Sequence, residues 1–495
     1  MKTSGALIVK NTIYNILGKA VPFIIALVSI PILIHHLGTD RFGILTITWV
    51  FVGYFSLFDL GLGRAVIKTV AERLGTDNEG DIIYIFRLTS LILGLLGLLA
   101  GGLLFLITPF LVHSLLNIPI EYTDESIAAF YYLSLAIPFT ILSTIFRGIL
   151  EAWQKFGLLN IVQSTIGILT YIIPVIIVLI EPRLDYVVAS LAAIRIAGTG
   201  LFLIFAKKQT NIINKPAIKK EGLLRELIGF GGWVTVSNIL DPLLNYFDRF
   251  VIGALLSMSA VAYFTTPYEV ATKLVIIPAA LVTSLFPAFS NLAVLAPKKL
   301  KIIIEDSYHF LIGGTFLISF AGIWGSENFL YYWVGEKFAN ESTLVLQIFL
   351  LGFFVNSIAK IPYSHLQSIG RPDVTAKIHL AELPFTIILI FIAVLNYGII
   401  GVAFVRFFRL FTDMLLLMFF SFRCVDGIKM PFFIIMIHLS LLSLSVVGAF
   451  FLSNLYLISL ILSIGGFLYI LYFWKYASET RHRDFILTLK EKWAN

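Results

Sequence analysis

The chain is a succession of long apolar runs separated by short polar turns. Each run holds about 18 or more mostly apolar residues, enough for a helix to cross a hydrocarbon core. The runs lack the alternating polarity of barrel strands, and a segment in a bilayer must satisfy its own backbone groups, so helices are predicted. The predicted spans are 11–36, 41–63, 82–112, 126–149, 158–180, 185–206, 227–255, 260–292, 303–333, 343–368, 374–396, 398–422, 430–453 and 455–476.

Composition supports a membrane location. Of the 495 residues, 59% are hydrophobic and 13% are charged, whereas a soluble domain carries about 25% charged residues. Too little polar surface remains to cover a protein of this size in water. The sequence therefore predicts an all-α, polytopic membrane protein with about fourteen transmembrane helices.

The basic residues predict how the chain is oriented. Of the Lys and Arg residues in predicted loops or at the ends of the predicted spans, 25 fall on one side of the membrane and three, Arg41, Arg183 and Lys337, on the other. Because Lys and Arg concentrate in cytoplasmic loops, both termini are predicted to be cytoplasmic and the protein to lie in the cytoplasmic (inner) membrane. Because the basic residues are spread over many short loops rather than gathered in one patch, a nucleic-acid partner is not expected, despite a formal charge of +7.

The order of spans predicts two parallel six-helix lobes followed by two more helices. The predicted boundaries are 1–206 and 227–424 for the lobes, 207–226 for a basic cytoplasmic linker, 425–477 for the additional helices and 478–495 for an amphipathic cytoplasmic tail. Six is an even number, so both lobes start from the same side of the membrane and form parallel repeats.

Cysteine and histidine usage argues against a disulfide, a metal or a cofactor. Cys424 is the single cysteine, and the eight histidines show no metal-ligand spacing. The first apolar run, interrupted by Lys19, lacks a small-residue cleavage site and is predicted to be a retained span.

Charged residues within the predicted spans are the strongest indication of function. Each costs about 2.5–3.5 kcal/mol at the bilayer centre, so these residues are expected to face water, one another or a ligand. The candidate cavity cations are Lys19, Arg195, Arg249, Lys273, Lys360, Arg406 and Arg409; the acids are Asp59, Asp241, Asp248, Glu269, Glu382 and Asp413.

Their spacing places them in polar stripes on otherwise apolar helices. Steps of three and four residues put side chains on one helix face. Stripes on helices of both lobes predict a shared, water-filled cavity where the lobes meet. They comprise Asn11, Asn15 and Lys19; Asn238, Asp241, Asn245, Asp248 and Arg249; Asn356, Lys360, Tyr363, Ser364 and Gln367; and Arg406, Arg409 and Asp413.

Structural roles remain open for several of these charges. Glu269 with Lys273, and Arg409 with Asp413, are four residues apart and could form intrahelical salt bridges. Asp59 and Glu382 could couple transport to protons or simply accept structural hydrogen bonds. Lys19, Arg195 and Lys360 have no acid within four residues and are the strongest candidates for binding an anionic ligand.

Three segments resemble the polysaccharide transporter family of flippases. They are NTIYNILGKAVPFIIALVSIPILIHHLGTDRFGIL, GLGRAVIKTVAER and YFDRFVIGALLS. The family includes the O-antigen and capsule-repeat flippases and belongs to the multidrug/oligosaccharidyl-lipid/polysaccharide superfamily. The resemblance implies outward flipping of a polyprenyl-pyrophosphate-linked oligosaccharide through a cationic central cavity. Asp248-Arg249-Phe250 matches a family motif, which implies that Arg249 is a cavity residue.

Three functions follow as hypotheses, with the flippase favoured. Its expected partners are the polyprenyl-pyrophosphate-linked oligosaccharide, membrane lipids, and the polysaccharide polymerase and glycosyltransferases of the same pathway. A drug/cation antiporter of the same superfamily is the second, disfavoured by the unpaired cations and the two additional helices. The third is a membrane enzyme that polymerises or ligates glycans. No extracytoplasmic loop is long enough for such chemistry, so the chain is expected not to be an enzyme.

Overall fold

The protein is built from helices. The computed structural model describes residues 5–57, 79–153, 155–210, 244–424 and 431–451 and a few single positions, with most of the side chains from Val21 onward. Residues 244–255 are helical, and no strand occurs in the described part of the chain. The helices are α1 (Gly5–Leu57), α2 (Glu79–Phe110), α3 (Thr123–Ala152), α4 (Phe156–Ile180), α5 (Leu184–Thr210), α6 (Met258–Leu274), α7 (Ile276–Leu295), α8 (Pro297–Trp333), α9 (Glu336–Ser368), α10 (Pro372–Arg423) and α11 (Phe432–Phe451).

Nine helices within the described ranges are long and apolar enough to cross a membrane. Two of them, α1 and α10, each cover two predicted spans and are broken at a glycine. The nine helices thus account for eleven of the fourteen predicted crossings. The eighth predicted span corresponds to α6 and α7, which are separated at Val275. The prediction of an all-α, polytopic membrane protein is confirmed.

Helix α10 folds back on itself at Gly398. This residue has φ 58° and ψ −145°, a conformation that an L side chain rarely adopts. Glu382 and Arg409 would be about 40 Å apart on a straight helix, at 1.5 Å per residue. Their side chains instead approach to 3.9 Å. The predicted turn at residues 396–398 is therefore confirmed.

Helix α1 is broken in the same way at Gly38, whose φ is 80°. Pro22, before the break, packs against Gly167 of α4, where a Cβ would lie 2.9 Å from the Pro22 ring. Trp49, after the break, has its ring centroid 5.7 Å from that of Tyr171, one turn further along α4. Both halves of α1 therefore lie along α4, as the predicted turn at residues 37–40 requires.

The chain divides into two compact units, Met1–Ala262 and Tyr263–Asn495. In the first, α3 packs against α2 and α5, and α4 packs against α1 and α5. A Cβ at Gly97 would lie 2.7 Å from Pro138 Cα, and one at Gly101 would lie 2.6 Å from Ser134 O. These glycines let α2 and α3 approach closely. The predicted lobe boundaries stay predictions, and the linker from residue 211 onward and the tail at 478–495 lie outside the described residues.

Polar contacts connect the helix ends of the first unit. Arg41 donates two hydrogen bonds to Glu125, at 2.9 and 2.6 Å, and Glu125 also accepts one from the backbone N–H of Leu184 at 3.1 Å. Next to this contact, Asp185 accepts hydrogen bonds from Arg183 and raises the pKa of its guanidinium. The break in α1 and the first turns of α3 and α5 are thereby held in one network.

Helix α9 forms the core of the second unit. It packs against α7, α8 and α10, and nearly all of its central residues are buried. Helix α11 packs against α8. There, His438 contacts the hydroxyl of Tyr469 at 3.1 Å and the carbonyl of Ile434 at 2.8 Å, and the Phe316 ring lies edge-on at 5.0 Å. His438 thus has a structural role between apolar helices.

Candidate functional site

A polar cavity lies within the first unit, between α3, α4 and α5. Its volume is about 360 Å³. Two arginines, Arg147 and Arg195, line it, and no acid occurs among the described lining residues. The other polar lining residues are Thr140, Ser143, Gln163, Thr170, Tyr171 and Thr199.

Helical spacing brings these side chains to one place. Thr140, Ser143 and Arg147 follow one another at steps of three and four along α3. Arg195 and Thr199 are four residues apart on α5. Such steps align side chains on a single helix face, so three apolar helices each turn one polar stripe towards the cavity. The result is a solvated space among helices that are otherwise apolar.

Arg147 is held in place by its neighbour on α4. Its Nε and Nη2 donate to the side-chain oxygen of Gln163 at 2.9 and 2.8 Å, with the amide oriented so that its oxygen faces the guanidinium. A fork of this kind fixes the plane of the guanidinium. Glu151 follows on the same helix but does not line the cavity. The positive charge of Arg147 is therefore positioned at the cavity wall.

Arg195 is the predicted anion-binding residue that the structure places in this cavity. Its side chain lies deep among protein atoms yet remains partly accessible, because it borders the cavity. Among the residues that the structure describes, no hydrogen bond or ion pair reaches its guanidinium. A guanidinium in this state offers donors that an anion can use. Two positively charged groups thus share a cavity that has no acid among its described lining residues.

The other predicted residues of the first unit are only partly described. Asp248 and Arg249 are both buried in helical segment 244–255. Asp248 accepts a hydrogen bond from the backbone N–H of Arg249 at 2.9 Å, and the Arg249 guanidinium lies 5.0 Å from the centroid of the Tyr246 ring. The remaining predictions, Asp59, Asp241 and the side chain of Lys19, lie outside the described residues.

A second group of charged residues lies within the second unit. Arg406 donates to the Tyr268 hydroxyl at 2.9 Å and stacks on its ring at 4.1 Å. Arg409 lies 3.9 Å from Glu382, across the fold in α10. Asp413 contacts His379 at 3.4 Å. In the described part of the chain, Arg409 and Asp413 therefore contact charged or ionisable side chains of the opposite half of α10 rather than each other.

The carboxylates of the second unit differ in how they are paired. Glu269 forms the intrahelical salt bridge with Lys273, at 3.6 Å, and both side chains are half-exposed. Glu382 is buried, and in the described part of the chain neither of its oxygens accepts a hydrogen bond. A buried charge paired without hydrogen bonds is poorly compensated. Of these two, Glu382 is the better candidate for a coupling role.

Lys360 lies on α9 with its ammonium 6.0 Å from the centroid of the Tyr363 ring. It belongs to the second unit, whereas Arg195 and Arg249 belong to the first. The convergence of these cations on one chamber therefore stays a prediction. Within the described ranges, no group of three or more His, Cys, Asp or Glu residues could hold a metal ion.

Besides the predicted residues, the structure brings Arg147, Gln163, Tyr268 and His379 to these sites. Arg147 was not among the predicted cavity cations, but it lies inside α3 and lines the cavity. Gln163, Tyr268 and His379 were not considered. The signal for Arg147 was its position four residues after Ser143, which itself lies three residues after Thr140, so that Arg147 continues the stripe to the helix end.

Comparison with known proteins identifies the family. Residues 8–293, more than half of the chain, match the family described as "Polysaccharide biosynthesis protein". The chain belongs to this family. A relative from Shigella flexneri, named "Putative O-antigen transporter", is 34% identical over 410 residues, which cover 83% of this chain and 96% of the relative. A protein of Haloferax volcanii, named "Probable low-salt glycan biosynthesis flippase", is 22% identical over 80% of this chain and 78% of its own length.

Solved structures show the same fold. The lipid II flippase MurJ in an inward closed conformation matches with a TM-score of 0.67 and 17% identity, over 96% of this chain and 99% of MurJ. A multidrug resistance transporter of the MATE family and the MOP superfamily, in an inward-facing conformation, matches with a TM-score of 0.66 and 15% identity, over 86% of this chain and 98% of that one. The resemblance noted in the sequence is thus confirmed for family and fold.

Proposed function

We propose that this protein is a flippase that moves a polyprenyl-pyrophosphate-linked oligosaccharide from the inner to the outer leaflet of the cytoplasmic membrane. The substrate is a repeat unit of O-antigen, capsule or exopolysaccharide, and movement occurs by alternating access. The observation that carries the proposal is a cavity with two arginines, Arg147 and Arg195, inside a membrane protein of the polysaccharide biosynthesis family.

The polar head group of such a substrate needs a polar cavity in order to cross the bilayer. Sugar hydroxyls and a diphosphate cannot enter hydrocarbon, since they would lose their water without replacement. A polar cavity supplies substitute partners, and the polyprenyl chain can remain in lipid. Arginine binds phosphate oxygens through two parallel N–H groups, whereas lysine provides a point charge. A membrane potential that is negative inside favours outward movement of an anion by about 2.3 kcal/mol per charge per 100 mV.

The proposed orientation and partners follow from the same role. Both termini are cytoplasmic, so the loops rich in Lys and Arg face the compartment in which the substrate is assembled. Glycosyltransferases deliver the substrate there, and a polysaccharide polymerase consumes it on the opposite side. A drug/cation antiporter is the less favoured alternative, because a cationic drug would meet two arginines and no described acid in this cavity.

A reconstituted transport assay tests the proposal. Purified protein is placed in liposomes with a fluorescent polyprenyl-pyrophosphate-linked oligosaccharide, and translocation is followed by the accessibility of the label to an external quencher. Arg195→Gln is expected to lower the protein-dependent rate about tenfold or more, since hydrogen bonds to charged groups contribute about 1.5–3 kcal/mol. Arg183→Gln is the control, because this arginine is exposed and paired with Asp185.

Two results would overturn the assignment. One is an absence of protein-dependent translocation by wild-type protein that elutes and melts as a folded species. The other is an equal rate for Arg195→Gln and Arg183→Gln. Efflux of a cationic dye such as ethidium by the same liposomes, without lipid translocation, would instead support the antiporter.

A further inference from the structure

The serine and threonine hydroxyl groups that line the first-unit cavity share a hydrogen-bonding state. Ser143 donates its proton to the carbonyl of Thr140 at 2.7 Å, and Thr170 donates to the carbonyl of Ile166 at 2.7 Å. Thr199 likewise donates to the carbonyl of Phe139 at 2.9 Å. A hydroxyl has one proton and two acceptor positions. With their protons committed to backbone carbonyls, these oxygens can only accept hydrogen bonds from a ligand.

The two arginines have the opposite character, because a guanidinium only donates. Gln163 occupies Nε and Nη2 of Arg147. The guanidinium of Arg195 has no hydrogen-bond or ion-pair partner among the described residues. The cavity therefore combines positively charged hydrogen-bond donors with neutral hydrogen-bond acceptors. A ligand that satisfies both must carry an anion that accepts and hydroxyl groups that donate.

Phosphate alone satisfies only half of this arrangement, since its ionised oxygens accept and do not donate. A sugar attached to the phosphate supplies the missing hydroxyl donors. The cavity volume of about 360 Å³ lies at the lower end of the range for small-molecule sites, about 300–1,000 Å³. It suits a phosphate group and one adjoining sugar ring rather than an oligosaccharide.

We infer that the cavity binds the phosphate of the substrate together with the first sugar attached to it. Arg195 binds the anion, and the oxygens of Ser143 and Thr170 accept hydrogen bonds from sugar hydroxyls. Gln163 is a positioning residue that holds the second arginine, Arg147. This inference rests on the proposed function, since it specifies which part of the lipid-linked substrate enters the first unit.

Equilibrium binding to the full-length purified protein tests the inference. The ligands are glucose 1-phosphate and N-acetylglucosamine 1-phosphate, with methyl phosphate as a matched anion that lacks hydroxyl donors. Wild-type protein is expected to bind a sugar phosphate about tenfold more tightly than methyl phosphate, because the sugar hydroxyls add two neutral hydrogen bonds. The double variant Ser143→Ala/Thr170→Val is expected to abolish this preference while leaving the affinity for methyl phosphate unchanged.

Two control proteins separate the sugar contacts from the charge. Ser134→Ala/Thr144→Val removes hydroxyls that also donate to α3 carbonyls, at 2.7 Å each, but that do not line the cavity, so the preference should persist. Arg195→Gln should weaken all three ligands about equally, by about tenfold.

The inference fails if the Ser143→Ala/Thr170→Val protein keeps the wild-type preference, or if wild-type protein binds no sugar phosphate more tightly than methyl phosphate. If the inference fails but translocation still depends on Arg195, the proposed function remains supported. Conversely, a sugar preference in a protein that translocates no lipid-linked oligosaccharide would support the binding site and overturn the flippase.

Discussion

The close approach of α1 to the start of α6 provides a sharp test of packing in the first unit. At Gly43 of α1, a Cβ would lie 2.6 Å from the carbonyl carbon of Met258 and 3.2 Å from its Cα. Ordinary van der Waals contact begins near 3.4 Å. Both neighbours are backbone atoms, so no rotamer change can relieve the overlap. Gly43→Ala therefore requires the two backbones to separate.

The loss of stability expected for Gly43→Ala depends on whether backbone or side-chain atoms must move. Overpacking costs about 1–3 kcal/mol, and backbone displacement places Gly43→Ala at the upper end, about 3 kcal/mol. Gly253→Ala is the first control: its Cβ would meet the end of the Met258 side chain at 2.9 Å and that of Ile47 at 3.2 Å. These side chains can yield, so about 1 kcal/mol is expected.

Gly53→Ala is the second control, because a Cβ there would meet no described atom within 4 Å. Alanine stabilises a helix interior relative to glycine by about 0.5–1 kcal/mol, so this variant should be neutral or slightly more stable. The measurement is thermal unfolding of each purified protein in one detergent, followed by intrinsic fluorescence. The reasoning is refuted if Gly43→Ala unfolds at the temperature of Gly53→Ala.

Three further substitutions test other contacts in the same unfolding assay. Arg41→Ala should lower the free energy of unfolding by about 1.5–3 kcal/mol, because Glu125 loses two charge-assisted hydrogen bonds; an unchanged melting temperature would contradict this. His438→Phe should cost about 1 kcal/mol through loss of its hydrogen bonds, and a stabilised protein would show that ring packing dominates there. Gly398→Ala should cost about 1–3 kcal/mol, since φ is 58°; no loss would mean that the fold in α10 tolerates a side chain.

The crossings of the membrane could be predicted because apolar run length alone determines them. The turns at Gly38 and Gly398 were also predictable, since each lies between two apolar runs and carries the one residue that adopts the required φ. The break at Val275 was not predicted from run length, because apolar residues continue through it; the sequence signal is Pro278, which lies in the first turn of α7, where proline is tolerated. Run length cannot distinguish one long helix from two short ones in line.

The charged sites were less predictable because their partners come from distant parts of the chain. Spacing of four residues suggested that Arg409 pairs with Asp413, but folding at Gly398 brings Glu382 to Arg409 instead. Arg195 was identified because it lacks a nearby acid in the sequence. Arg147 was missed because it lies close to a helix end, where cations commonly extend into the polar head-group region. Only three-dimensional packing shows that it borders a cavity.

The single-residue corners at Gly38 and Gly398 bear on how this protein can be probed from outside the bilayer. A chain that reverses direction within one residue presents only a few residues to a protease, an antibody or a bulky labelling reagent. An epitope inserted at Gly398 would push apart the two arms that bring Glu382 to Arg409, so loss of activity there would report distortion rather than sidedness. The chain next to Ile120, which is 94% exposed, is a gentler attachment point, whereas Asn117 is held by three hydrogen bonds to carbonyls of residues 253, 254 and 256.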